Sequence, residues 1–168
     1  GVILKKGKDV VLNEFMEKIV GYSNHEVDSI EDLRKLLYGE KNKAVEKLYK
    51  EDRKEKFPKA RVLLARCKNG EEKHLEFKWY VDSQVECCIV QDVTKREKAR
   101  INLRRSQIKF QTIFENLPLG MFSCDAEGKI LDFNPMFLEM LGYDSKEMKQ
   151  LTCWNITPEN HIKEERKV

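Results

Sequence analysis

Residues 7–13 read Gly-Lys-Asp-Val-Val-Leu-Asn, and residues 128–134 read Gly-Lys-Ile-Leu-Asp-Phe-Asn. In both stretches a Gly-Lys pair leads into an extended, apolar-rich run that ends on asparagine. A Gly-Tyr pair follows eight residues after each asparagine, and a glutamate follows five residues after each of those glycines. Because every element recurs at the same offset of 121 residues, from 7 to 128, we interpret the chain as one module followed by the start of a second copy.

Each copy begins with the same local pattern. Two short strands meet at a glycine turn, and an asparagine, Asn13 or Asn134, then caps a short helix with its side-chain oxygen. The glycine of the Gly-Tyr pair, Gly21 or Gly142, is expected to end that helix in the left-handed conformation. The four residues after each Gly-Tyr pair fit a capping box, which predicts a further short helix.

Only the first copy continues into a complete domain pattern. Residues 32–56 favour helix, residues 61–67 favour a strand, and Asn69-Gly70 is typical of a tight hairpin turn. Residues 74–81 alternate apolar and polar side chains, which predicts a half-buried antiparallel strand, and residues 85–91 form a last apolar strand. This order predicts an α+β fold, with one antiparallel sheet of about five strands and short helices on one face.

The composition places the chain among globular proteins. With 168 residues, of which 40% are hydrophobic and 36% charged, it can form a core, and no apolar run is long enough to span a bilayer. The N-terminus lacks the pattern of a signal peptide, so we expect a cytoplasmic protein without membrane contact in this segment. The five cysteines include no CxxC pair, and we interpret them as small buried thiols, not as disulfides or a metal site.

A basic helix is predicted after the last strand. Thr94-Lys-Arg-Glu97 fits a capping box, and the helix should end before Pro118. Residues 95–109 hold seven basic residues and one acidic residue, whereas the whole chain has a net charge of +3. Since no recognition motif or stacking platform accompanies this charge, it indicates a solvated helix face and not nucleic-acid binding.

The apolar positions of this helix allow two arrangements. Two columns of residues lie seven apart, a strong one and a weaker one: Leu103, Phe110 and Leu117, then Ala99, Ser106 and Ile113. Such spacing is typical of a short coiled coil, which predicts a homodimer through the helix. The alternative is an amphipathic helix that packs on its own domain.

Taken together, these features resemble a PAS domain. The strand, asparagine, helix and Gly-Tyr pattern, the helical middle and the three strands closed by Asp92-Val93-Thr94 are similar to that family. The next helix and residues 110–120, Phe-Gln-Thr-Ile-Phe-Glu-Asn-Leu-Pro-Leu-Gly, resemble the junction between tandem PAS domains of bacterial and archaeal sensor proteins, such as sensor histidine kinases. Residues 157–161, Thr-Pro-Glu-Asn-His, resemble a stretch in the middle helices of such domains.

The resemblance divides the chain into three segments. Residues 1–93 form a first PAS domain without its preceding cap helix, residues 94–117 a connector helix, and residues 118–168 the N-terminal half of a second PAS domain. The second copy stops before its three-strand half, so we expect the chain to be a fragment of a longer protein. Because that half would bury its helices, we expect the second copy to be ordered by packing on the first domain or by exchange between chains.

A PAS resemblance implies a ligand cavity between the sheet and the short helices. By strand alternation, six side chains should face this cavity: Leu75, Phe77, Trp79, Val85, Cys87 and Ile89. The alternative is that they form ordinary core. The resemblance also implies a relay, in which Asp92, Thr94 and Glu97 couple the last strand to the connector helix.

The residues do not identify the ligand or cofactor. The cysteine motif of the photosensory flavin subgroup is missing, and residues 43–56 hold no histidine of the kind used by the haem-binding subgroup, so both cofactors are disfavoured. The three histidines, His25, His74 and His161, are scattered through the sequence. No catalytic constellation or kinase phosphoacceptor context appears, and we expect neither catalytic nor metal-binding residues.

Three functions follow from these observations. We favour a non-catalytic sensory module that binds a small ligand or partner and acts on a downstream output domain, a kinase or a cyclic-dinucleotide enzyme. The second hypothesis is a PAS interaction module with a filled core, whose role is dimerisation. The third is an enzyme or redox sensor built on Cys67 or the Cys87-Cys88 pair, which requires a thiol that reacts at neutral pH.

Overall fold

The computed structural model describes residues 1–82 and 84–158. The chain divides into two compact units, Gly1–Arg100 and Ile101–Val168. The strands of the described residues are, in chain order, β1 (Val2–Lys6), β2 (Asp9–Leu12), β3 (Arg61–Arg66), β4 (Glu72–Val81), β5 (Glu86–Asp92), β6 (Phe122–Cys124) and β7 (Ile130–Phe133).

Short helices connect the strands. They are α1 (Glu14–Val20), α2 (Ile30–Tyr38), α3 (Asn42–Lys54), α4 (Thr94–Asn116), α5 (Pro135–Leu141), α6 (Ser145–Met148) and α7 (Cys153–Ile156), with 3₁₀ turns at Asn24–Glu26 and Gly39–Lys41. The helix-favouring stretch 32–56 is divided between α2 and α3, in agreement with the several short helices expected. The break lies at Gly39, whose backbone angles, φ 52° and ψ −122°, are incompatible with helix.

The first unit is built on one antiparallel sheet of five strands in the order β2-β1-β5-β4-β3. Apolar side chains from one face of this sheet and from α1 and α2 form a common core, in which Ile3, Met16, Leu33, Leu75 and Val90 are almost fully buried. The second unit pairs β6 with β7 and has a smaller core of Ile130, Phe137 and Met148. The predicted α+β architecture is confirmed.

The last strand of the large sheet corrects one prediction. In β5 the side chains that face the core are those of Glu86, Cys88 and Val90, which are all buried. Val85, Cys87 and Ile89, which we expected to face the interior, lie out of phase with them, and Ile89 is 47% exposed. The strand is apolar on both faces, so alternation alone carries no information on which face is inward.

The two repeats share a hydrogen-bond motif at their asparagines. The Asn13 Oδ1 atom accepts hydrogen bonds from the backbone N–H groups of Val2, at 2.8 Å, and Met16, at 2.9 Å. The Asn134 Oδ1 atom accepts from the N–H of Phe137, at 3.0 Å, and from the residue that precedes β6, at 2.8 Å. Each asparagine therefore joins the start of its first strand to the first turn of its helix.

The helix ends also repeat. Gly21 and Gly142 follow α1 and α5 with φ values of 79° and 74°, and each donates its N–H to a carbonyl of the last turn. Side chains other than glycine rarely adopt this left-handed conformation. The glutamate of each capping box accepts a hydrogen bond from the first residue of its box, Ser23 at 3.1 Å and Asp144 at 2.9 Å.

The start of α4 differs from the predicted capping box. The Thr94 hydroxyl accepts a hydrogen bond from the N–H of His74 at 2.9 Å, and the N–H of Glu97 donates to the carbonyl of Val93 at 2.9 Å. The Asp92 carboxylate accepts from the Thr94 N–H at 2.9 Å. Asp92 thus caps α4, because the Thr94 hydroxyl is hydrogen-bonded to the neighbouring strand β4.

Candidate functional site

A cavity of about 60 Å³ lies between α2, α3 and the edge of the sheet formed by β3 and β4. We call it the Arg34 cavity. Most of its wall is apolar, from Leu33, Leu37, Val45, Leu48, Leu63 and Phe77. The amphipathic helices α2 and α3 turn these side chains toward the sheet, where β4 presents every second residue inward.

The Arg34 cavity contains only two of the six side chains predicted for a ligand site. Phe77 and Trp79 line it, whereas Leu75 is buried in the core next to it. Val85, Cys87 and Ile89 take no part in its wall. Whether the two lining residues contact a ligand stays a prediction.

Three aromatic rings form one wall of the cavity. The Phe57 and Trp79 rings stack with centroids 5.4 Å apart, and Tyr49 meets Trp79 edge-on at 5.3 Å and Phe57 at 5.4 Å. Phe57 and the preceding Lys56 have φ values of 56° and 57°, a left-handed conformation that is costly for residues with a side chain. The chain therefore holds Phe57 in the wall at the expense of local strain.

Arg34 brings a charge into this apolar wall. The residue is only 6% exposed, and its Nε and Nη1 atoms have no hydrogen-bond partner among residues 1–82 and 84–158. Its Nη2 atom lies 3.5 Å from the carboxylate of the exposed Glu31, and its guanidinium lies 5.1 Å from the centre of the Tyr49 ring. A buried guanidinium with two unsatisfied nitrogens is rare, since an unpaired polar group loses its hydration without compensation.

Tyr38 adds a second polar group to the same wall. It is four residues after Arg34 on α2, so both side chains lie on one helix face. Its hydroxyl has no hydrogen-bond partner in the described part of the chain. Burial raises the pKa of this phenol well above its ordinary value of 10.0, so the hydroxyl stays protonated and can donate a hydrogen bond.

The acidic groups around the cavity are already paired. Asp52 accepts two hydrogen bonds from Arg61, at 2.7 and 2.6 Å, and these bonds hold the pKa of its carboxyl below the ordinary value of 3.8. Glu86, buried behind Tyr49, accepts from the Tyr49 hydroxyl at 2.6 Å and from Arg53 at 2.9 and 2.5 Å. Neither carboxylate is available to neutralise Arg34.

The residues predicted for signal relay lie together at the end of the sheet. Besides capping α4, Asp92 has its carboxylate 4.0 Å from the Lys73 amine. Burial raises the pKa of the Asp92 carboxyl, but the hydrogen bonds from Thr94 and the nearby positive charge outweigh it, and the net pKa is lowered. Glu97 is buried one turn into α4 and accepts from Arg100 at 3.0 and 2.7 Å.

The residues that sequence reasoning missed are Arg34, Tyr38 and Phe57. A signal for the first two was present, because a cation at position 34 lies between the apolar residues Leu33 and Leu37 and four residues before a tyrosine. No pattern in the sequence indicated the left-handed backbone that brings Phe57 into the wall.

Two of the three thiols considered for a redox site, Cys67 and Cys88, are buried. Burial raises the pKa of Cys88 and of Cys67, the opposite of what a thiolate nucleophile needs. Within the described ranges, no group of three or more His, Cys, Asp and Glu side chains could hold a metal ion. His161 lies outside the described residues, as does the end of the stretch 157–161.

Across residues 1–82 and 84–158, no helix combines the length and the apolar character needed to cross a bilayer.

Comparison with known proteins finds a family match over part of the chain. A model of the PAS domain matches residues 108–167, a range that begins in α4. This part of the chain is similar to PAS domains. The chain is 33% identical over 64 residues to "Sensor histidine kinase TmoS" of Ectopseudomonas mendocina, a match that covers 38% of this chain and 7% of that kinase.

A second relative belongs to the same class of protein. "Sporulation kinase E" of Bacillus subtilis (strain 168) is 32% identical over 96 residues, which is 56% of this chain and 13% of that kinase. The chain therefore spans a small fraction of the length of both relatives. It is similar to a part of each of these two kinases.

The fold agrees with the family. The crystal structure of a sensory box histidine kinase/response regulator from Burkholderia thailandensis E264 superposes with a TM-score of 0.54, covering 67% of this chain and 90% of that chain. At 18% sequence identity, this likeness concerns the PAS fold alone.

Proposed function

We propose that this PAS module binds a small molecule in the Arg34 cavity and relays binding through α4 to an output domain. The observation that carries the proposal is the buried Arg34, with two unpaired nitrogens in a largely apolar cavity. In a core that serves only for packing, a buried and unpaired guanidinium would destabilise the fold without any compensating role. A ligand that bonds to it removes that penalty.

The size of the cavity favours a small ligand. Sites for drug-sized molecules and cofactors occupy roughly 300–1,000 Å³, whereas the Arg34 cavity measures about 60 Å³. This supports the prediction that neither haem nor a flavin is the cofactor. It also agrees with the largely apolar wall, which a compact organic molecule would cover.

The relay is supported by the course of β4. Near its C-terminal end this strand carries Phe77 and Trp79 in the cavity wall, and near its N-terminal end His74 donates its N–H to the Thr94 hydroxyl. A ligand that shifts β4 therefore acts on the first turn of α4 through Thr94. Asp92 and Glu97, which bond to the same turn, would move with it.

The wider assignment follows from the relatives. We assign residues 1–93 to a first PAS domain, residues 94–117 to the connector and residues 118–168 to the beginning of a second PAS domain. Since both curated relatives are kinases, the output domain that we favour is a histidine kinase, with this chain as its cytoplasmic, non-catalytic regulator.

Native mass spectrometry of the purified 168-residue chain tests ligand binding. We expect extra mass that is lost on denaturation. Val45→Phe, which fills the cavity, should abolish the extra mass, and Val62→Phe, on the exposed face of β3, should keep it.

Hydrogen exchange of residues 94–100 tests the relay, because the exchange rates should differ between the ligand-bound chain and Val45→Phe. A bare wild-type chain whose exchange equals that of Val45→Phe contradicts the proposal.

The second candidate function, dimerisation, is favoured by the exposed apolar side chains of α4. Leu103 and Phe110, predicted to share one column, are 61% and 62% exposed. Pairing of two such helices would cover them. Light scattering after gel filtration should give a dimer that Phe110→Glu dissociates and the neighbouring Gln107→Glu preserves. A monomeric wild-type chain rules the coiled coil out for this segment.

A further inference from the structure

We propose that the ligand of the Arg34 cavity is a small monocarboxylate with a compact apolar body, which the Arg34 guanidinium and the Tyr38 hydroxyl hold by its carboxylate. This inference rests on the proposed ligand-sensing function and specifies the chemical class of the ligand.

The charge of the ligand follows from the charge of the cavity. Arg34 is 6% exposed, and its one acidic contact, Glu31 at 3.5 Å, has a side chain that is 57% exposed to solvent. A long contact to a solvated carboxylate neutralises a buried guanidinium poorly. The nearest buried acids, Asp52 and Glu86, are bonded to Arg61, Arg53 and Tyr49. Glu46, whose charge also interacts with Arg34, lies 2.6 Å from the Lys50 amine. A ligand would therefore supply the negative charge that the described residues do not.

The polar atoms also fit a carboxylate. The unpaired groups of Arg34 are donors, and guanidinium donors bond most strongly to anionic oxygens. The Tyr38 hydroxyl, unpaired and protonated, supplies another donor from the same face of α2. A carboxylate, with two acceptor oxygens and no donor, complements these groups. An amine or a neutral amide places at least one hydrogen against them.

The rest of the ligand follows from the other lining residues. Away from Arg34 and Tyr38 the wall consists mainly of leucine, valine and aromatic side chains, and the aromatic wall of Tyr49, Phe57 and Trp79 encloses it. The other charged lining residues are Asp52 and Arg61, which are bonded to each other, and Lys59, which is exposed. A second charged group on the ligand, placed away from them, would lie against apolar surface without a partner. The volume of about 60 Å³ limits the body to a few carbon atoms. A branched short-chain acid meets these conditions.

Isothermal titration calorimetry of the full chain with three probes that share one branched five-carbon skeleton tests the proposal. The probes are isovalerate, its neutral analogue isovaleramide and the cationic isoamylamine. We expect isovalerate to bind, and the amide and the amine to bind at least about tenfold more weakly, since a charged hydrogen bond is lost. Arg34→Met should weaken isovalerate binding by a similar factor and make the chain indifferent between acid and amide.

Two controls keep the result clear. Arg66→Met removes a surface arginine outside the cavity and should bind isovalerate like the wild type. Arg34→Lys keeps the charge and should retain part of the preference for the acid over the amide. Circular dichroism of each variant checks that it is folded.

The outcomes separate this inference from the function on which it rests. If the amide or the amine binds as tightly as isovalerate, the carboxylate class is wrong and ligand sensing stands. If none of the probes binds at about 10 mM, a range suited to ligands of few atoms, the inference is overturned. If the purified chain is then also bare by mass spectrometry, water fills the cavity and the sensing function fails with it.

Discussion

His74 and Thr94 are joined by a hydrogen bond from the His74 backbone N–H to the Thr94 hydroxyl, at 2.9 Å. The carbonyl of the same histidine accepts the N–H of Val93, also at 2.9 Å. Both backbone groups of one residue in β4 are thus bonded to the segment where β5 ends and α4 begins. The position of the first helical turn depends on the strand that also lines the cavity.

Replacing Thr94 by valine should loosen this connection. Thr94→Val keeps the shape of the side chain but leaves the His74 N–H unpaired, which we expect to lower the free energy of unfolding by about 1–3 kcal/mol. Urea unfolding measures the loss, and the His74 amide should exchange faster with solvent. Thr94→Ser retains the hydroxyl and should behave like the wild type. Unchanged exchange in Thr94→Val would show that the bond contributes nothing.

Replacing Arg34 by methionine should stabilise the ligand-free chain. The substitution removes a buried, poorly paired charge while filling a similar volume. Apolar replacement of such groups often raises the free energy of unfolding, here by about 1–3 kcal/mol. Thermal unfolding measures the change, with Arg66→Met expected within about 0.5 kcal/mol of the wild type. A less stable Arg34→Met chain would mean that the guanidinium is well compensated in the free protein.

The Asp52–Arg61 pair should make stability depend on acid pH. Because the hydrogen bonds from Arg61 keep the pKa of Asp52 in the folded chain below its ordinary 3.8, the pair stabilises the fold above that pH. The contribution is lost as the pH falls through the lowered pKa. Asp52→Asn should therefore be less stable than the wild type at pH 7, and the difference should shrink below pH 3.8. Urea unfolding across this range tests it.

The neighbouring Glu51→Gln serves as the control for this pH series, since Glu51 is exposed and lies 4.0 Å from its nearest lysine amine. Its stability difference from the wild type should be small at every pH. A difference between Asp52→Asn and wild type that stays constant down to acid pH would contradict the assigned role of the pair.

The equivalent asparagines of the two units should respond differently to one substitution. Asn134 is fully buried, and its amide nitrogen donates to the carbonyls of Phe114, at 3.0 Å, and Leu119, at 2.8 Å. Asn134→Asp replaces these donors by a charged acceptor, and should destabilise the second unit by at least about 2 kcal/mol. Asn13→Asp retains the oxygen that caps α1 and should be far milder. Hydrogen exchange, read separately for residues 1–100 and 101–158, distinguishes the two effects.

Local chemistry explains which parts of the fold the sequence predicts well. The asparagine and glycine positions of α1 and α5 depend on bonds within a few residues, so a short motif contains all the information. The hairpin strands β3 and β4 follow from alternation and the turn at Asn69-Gly70 in the same way. Repetition of the motif at residues 128–134 supports the predictions for α1 and α5.

The errors occur where distant parts of the chain compete. The Thr94 hydroxyl is taken by His74, twenty residues away in sequence, so the local capping box is replaced by Asp92. Glu86 points inward because Tyr49 and Arg53 from α3 bond to it, and this reverses the expected faces of β5. Arg34 escaped attention because a charged residue is ordinarily assigned to the surface.

Substituting Lys56 by glycine should stabilise the chain. Lys56 is exposed and has a φ of 57°, a conformation that glycine adopts without the steric penalty of a Cβ atom. We expect Lys56→Gly to raise the free energy of unfolding by about 0.5–1 kcal/mol, since relief of the clash exceeds the added entropy of the unfolded chain. Lys47→Gly, in the middle of α3, should lower it by about 1 kcal/mol. Matching losses in both variants would show that position 56 is unstrained.

The strained backbone at Lys56 and Phe57 also links loop stability to affinity. Consider a ligand whose entry displaces Phe57 and so opens the cavity wall. Opening releases the left-handed conformation, so the free energy needed to open the strained loop is smaller than it would be for a relaxed loop. A substitution that stabilises the closed loop therefore weakens the binding of such a ligand by the same free energy. In the proposed sensor, the backbone at Lys56, which does not line the cavity, would thus set the ligand concentration needed for a response.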